Sequence, residues 1–62
     1  MNDTLPTKRS PYIVTVRCMA TGTDYTRRLF LKSRNDAFEV MARHVRLAFG
    51  IERDALRLVE IV

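Results

Sequence analysis

The sequence predicts an α+β fold of ββαβ order, in which a three-stranded antiparallel sheet of strand order 2-1-3 carries one helix packed on one face. Three observations predict it. Apolar and polar residues alternate with period two over residues 12–20 and 25–32, one apolar stripe of helical spacing runs through residues 37–49, and a short apolar run covers residues 56–62.

The first strand places Tyr12, Val14, Val16, Cys18 and Ala20 on one face, with Ile13, Thr15, Arg17 and Met19 on the other. Its β-branched residues suit a pleated, half-buried surface. The stretch Thr21-Gly22-Thr23-Asp24 interrupts the alternation. Gly22-Thr23 suits a two-residue type II′ loop, because glycine accepts the positive φ of the first central position. That loop sets Thr21 opposite Asp24, and then Cys18 opposite Arg27, Val16 opposite Leu29 and Val14 opposite Leu31. On the other side Met19 meets Thr26, Arg17 meets Arg28 and Thr15 meets Phe30. Residue parity decides the faces, so they are more secure than the pairing.

Residues 33–36, Ser-Arg-Asn-Asp, open a helix, with Ser33 as cap and Asp36 in the first turn where the helix dipole favours an acid. Phe38, Met41, Val45 and Ala48 form the stripe, flanked by Ala42 and Phe49, and Gly50 is the left-handed stop. Glu39 and Arg43 have the i, i+4 spacing of a surface ion pair. The third strand has Leu56, Leu58, Glu60 and Val62 on one side and Arg57, Val59 and Ile61 on the other, so both sides carry apolar residues. Crossing back through the helix, it lies parallel to strand two and pairs beside strand one. The face of Val14, Val16, Leu29 and Leu31 meets the helix, and the core is expected to contain these four with Phe38, Met41 and Val45. Arg27 is the one charged residue that this assignment turns inward.

With 62 residues the chain has room for one domain and one core, expected over residues 11–62. Residues 1–10 carry little to bury and are expected to form a disordered tail. They have no apolar run of a secretory signal, and no stretch of the chain approaches a membrane span, so no membrane partner and a cytoplasmic location are expected. A single cysteine excludes an internal disulfide, and one histidine with one cysteine cannot complete a tetrahedral zinc site. So small a core is marginal unless a partner supports it.

Candidate chemistry is sparse. His44, on the flank of the helix stripe, is the only side chain that ordinarily titrates near neutral pH, and Cys18 points into the expected core. No catalytic residue, metal, cofactor or small-molecule substrate is expected, and the protein reads as a binding module rather than an enzyme.

One helix can cover only one sheet face. The other is left with Ile13, Phe30 and outward residues of strand three, an apolar patch of the kind that marks an interface. The candidate binding residues are Arg17, Arg28, Phe30, Lys32, Arg57, Val59 and Ile61. Arg17 and Arg28, opposed like charges in the expected register, would call for a carboxylate or another anion, and Glu60 is a candidate within the chain or across a dimer. The expected partner is another protein or a second copy of this chain, since interfaces favour arginine beside apolar residues. Nucleic acid is the alternative, with Phe30 as a stacking platform among Arg17, Arg28 and Lys32. The net charge of +4, drawn from nine arginines and two lysines against seven acids, is modest for that role.

Overall fold

The computed structural model describes residues 9–62. Strand β1 (Ser10–Cys18) and strand β2 (Thr23–Leu31) form a hairpin, a 3-10 turn (Arg34–Asp36) leads into helix α1 (Ala37–Phe49), and a second 3-10 turn (Arg53–Ala55) leads into strand β3 (Leu56–Ile61). The sheet order is β2-β1-β3 and both pairings are antiparallel. The fold is therefore the expected ββαβ arrangement. Strand β1 starts two residues earlier than Tyr12, because Ser10 and Pro11 pair with Leu31 and Phe30. Ser10 thus belongs to the sheet, and residues 1–8 of the expected tail lie outside the described residues.

The hairpin register differs from expectation by four residues. Cys18 pairs with Thr23, leaving Met19 to Gly22 as a four-residue loop in place of the two-residue Gly22-Thr23 turn. The Cys18 carbonyl accepts the N–H groups of both Thr21 (3.3 Å) and Gly22 (2.7 Å), which tightens the chain reversal. Gly22 takes its positive φ of 76° as the last loop residue, not the first central one. The new register replaces an opposed pair of arginines with Arg17 opposite Asp24 and sets Thr15 opposite Thr26, whose hydroxyls lie 2.9 Å apart. Opposite charges and hydroxyl pairs across strands stabilise, whereas like charges repel. An even shift preserves parity, so every hairpin residue keeps its expected face.

Helix entry follows the sequence closely. The Ser33 hydroxyl accepts the Asn35 N–H at 3.1 Å, capping the 3-10 turn, and Gly50 ends α1 at φ 73° with its N–H donated to the Arg46 carbonyl at 2.8 Å. Met41, Val45 and Ala37 are fully or almost fully buried against Val14 and Val16, with Cys18, Leu29, Leu31, Ala42 and Leu56 around them. Phe38 is only half-buried at the margin, and Ala48 is exposed. The stripe is thus rotated toward Ala37 and Ala42, whose small side chains face the sheet at its covered side. Arg53 lies over the Phe38 ring, its Cζ 5.7 Å from the centroid, and forms an ion pair with Glu39. Glu39 therefore pairs with Arg53 rather than with Arg43, tying the second 3-10 turn to the helix.

Strand β3 resolves its two apolar sides with a bulge. Thr15 pairs with Glu60 and Val16 with Leu58, so Val59 is an extra residue. Leu56 and Ile61, five residues apart, would point to opposite faces of a regular strand. The bulge puts both on the helix side, opposite Cys18 and Val14. Among the described residues no helix is long and apolar enough to cross a membrane.

Candidate interaction face of the sheet

The side of the sheet away from α1 is laid out by the register. From β2 through β1 to β3, successive rows read Phe30 and Pro11; Arg28, Ile13 and Val62; Thr26, Thr15 and Glu60; Asp24, Arg17 and Arg57. Val62 joins its row because it exchanges backbone hydrogen bonds with Ile13 at 3.1 and 2.9 Å. Apolar residues gather at one end of this face, and charges of both signs lie toward the other. Phe30, Ile13, Val62 and the bulge residue Val59 are all exposed, at 55%, 46%, 68% and 44% of their surface. So much accessible apolar side chain on neighbouring positions is what a surface loses first to a partner.

The charges on the face are unequal in availability. Arg17 grips Asp24 through two hydrogen bonds, Nε to Oδ1 at 2.7 Å and Nη2 to Oδ2 at 3.3 Å. The bidentate pair lowers the Asp24 carboxyl below its ordinary value of 3.8 and raises the Arg17 guanidinium above its ordinary value, in both cases chiefly through the side-chain hydrogen bond. Arg17 is therefore on the expected face but already answered, by Asp24 and not by Glu60. Arg28 sits opposite Ile13, with its Cζ 5.5 Å from the centroid of the Phe30 ring. Among the described residues no carboxylate lies within ion-pair distance of Arg28, Lys32 or Arg57, and no cation lies that close to Glu60.

Of the seven residues expected to bind, Arg17, Arg28, Phe30 and Arg57 fall together on the uncovered face and Val59 is exposed in the bulge. Lys32 is exposed just beyond the end of β2. Ile61 does not belong to the group: the bulge turns it to the helix side, where it packs on the core. Val62 takes the place on the face that the regular alternation gives to Ile61. The sequence does not reveal Asp24 as the partner of Arg17, because the reversal is centred between Ala20 and Thr21, two residues before the expected Gly22-Thr23 centre, and that centre fixes the pairing.

Catalytic and metal chemistry have little material. Cys18 is buried at the end of β1, and hydrogen bonds from Thr21 lower its thiol below the ordinary value. Among the described residues no group of three histidine, cysteine, aspartate or glutamate side chains could hold a metal ion. Compared with protein-family models, curated proteins and solved structures, the chain finds no match.

Proposed function

We propose that the protein is a non-enzymatic association module that pairs with a second copy of itself through the uncovered sheet face. One observation carries this reading: exposed apolar Ile13, Phe30 and Val62 share a face with a free carboxylate, Glu60, and free guanidinium groups on Arg28 and Arg57, and Val59 is exposed in the adjoining bulge. A two-fold interface brings the same patch against itself, so it needs apolar residues beside charges of both signs. This face supplies them. Burying Phe30 with Arg28 stacked on it would give the aromatic and arginine anchor on which interface energies concentrate.

Nucleic acid is the second reading, favoured by the Arg28 and Phe30 stack, which offers a base platform with an adjacent phosphate donor. Two features weigh against it. Arg17 is neutralised, and Asp24 and Glu60 place negative charge on the same face. Light scattering on size-exclusion fractions, at low and high salt and with or without mixed DNA and RNA oligonucleotides, separates the readings. Self-association gives twice the chain mass without oligonucleotide. A monomer that gains mass only with oligonucleotide at low salt supports nucleic acid instead.

A further inference from the structure

On the helix side of the sheet, at the open edge of β2, a cleft of ≈ 330 Å³ lies between the first half of β2 and the last two turns of α1. Met41 and Val45, both buried, contribute to its lining with Phe49 and Tyr25, whose rings lie 4.8 Å apart at a tilt of 41°. Thr26, Arg27 and His44 complete the wall. Arg27 interrupts an otherwise apolar inward series of Tyr25, Leu29 and Leu31, and sits opposite fully buried Val14.

The lining contains no acidic residue, and among the described residues no carboxylate is within ion-pair distance of Arg27. An apolar lining with one unanswered guanidinium and an imidazole beside it has the form of a small-ligand site: hydrophobic walls with few polar groups that set orientation. We infer that this cleft binds an apolar group bearing a single carboxylate, with the aliphatic or aromatic body against the accessible rings of Tyr25 and Phe49 and the carboxylate on Arg27. The guanidinium fork matches the two carboxylate oxygens, which a neutral amide cannot reproduce. The volume is near the lower end for ligand pockets, which suits a body about the size of a phenyl ring with a short chain. The shallower depression of ≈ 170 Å³ beside Arg43, Arg46 and Arg53 differs, because Glu39 lines it and already engages Arg53.

The cleft is on the opposite side from the proposed pairing face, so the two stand or fall separately. The test is a titration of the 15N-labelled protein with 3-phenylpropionate and, in parallel, with neutral 3-phenylpropionamide. The expected result is saturable shifts at Tyr25, Arg27, His44 and Phe49, with the amide at least tenfold weaker, about 1.4 kcal/mol. Arg27→Gln should bind the acid as weakly as the amide while keeping a native spectrum, since Arg27 is exposed. If that variant unfolds, the acid and amide comparison on the parent protein still decides. N-acetyl-Gly-Gly-Phe distinguishes the source of the carboxylate: tighter binding than the free acid identifies a peptide chain end, and weaker binding identifies a small free acid. Absence of saturation at about 10 mM, tenfold above a millimolar Kd, overturns the proposal. So do equal binding of acid and amide, or shifts centred on Ile13 and Phe30.

Discussion

Both faces of the sheet carry large apolar side chains, more of them on the helix side, yet only that side is closed. Beneath α1, Val14, Val16, Met41 and Val45 are inaccessible, and the nearest charge, Arg27, stands at the cleft rim. On the other side Ile13, Phe30 and Val62 remain in water between charges of both signs. Apolar side chains on a sheet face therefore do not by themselves make a core. The covered face is dry because Ala37 and Ala42 let the helix meet it, and the uncovered face has the composition of a surface that trades water for a partner.

The largest expected effect breaks the covered face. Met41→Ala removes a fully buried side chain, at a cost of about 2 to 5 kcal/mol, which rivals the whole stability of a domain this small. Loss of amide dispersion at 25 °C is expected, and a native spectrum would show that α1 contributes little to the fold. Phe38→Ala sharpens the comparison at the margin. Since Phe38 is half-buried, about half the cost of a core phenylalanine is expected, roughly 1.5 to 2.5 kcal/mol by urea denaturation. A cost equal to that of Met41→Ala would place Phe38 in the core after all.

On the uncovered face the effects should separate stability from association. Phe30→Ser is expected to change monomer stability by no more than about 0.5 kcal/mol, while weakening self-association at least fivefold, about 1 kcal/mol. Arg28→Glu is expected to leave monomer stability nearly unchanged, because Arg28 faces Ile13 and not Arg17. It should weaken association by placing a second acid on a face that already carries Glu60.

The smallest effect concerns acid. Asp24 has a lowered pKa in the folded chain, so the Arg17 pair contributes its stability above the ordinary carboxylate value of 3.8 and loses it as pH falls through the lower folded value. Asp24→Asn should therefore flatten the fall in stability below about pH 4. An unchanged acid profile would show that the pair is too well solvated to matter.

Face assignment was legible from parity alone, as Val14, Val16, Leu29 and Leu31 show. Helix limits were legible too, because Ser33 and Gly50 carry local hydrogen-bonding and φ requirements. Hairpin pairing was not, since it depends on the Cys18 carbonyl accepting two turn N–H groups, and that choice leaves no mark on the alternation. Ile61 was misplaced for a related reason. A bulge at Val59 can be suspected when both sides of a strand are apolar, but its position follows from fitting Leu56 and Ile61 to Cys18 and Val14. The cleft had one sequence signal, an arginine at an inward position, and only the closeness of Phe49 and His44 gives it meaning.

The proposed pairing sets the uncovered sheet face against a second copy of the chain. A dilution series followed by amide chemical shifts addresses it residue by residue. On concentration, progressive shifts are expected at Ile13, Arg28, Phe30, Val59, Glu60 and Val62, with the outward residues of α1 unmoved and Phe30→Ser abolishing the change. Shifts confined to α1, or spectra identical at every concentration with a monomer mass throughout, would contradict it.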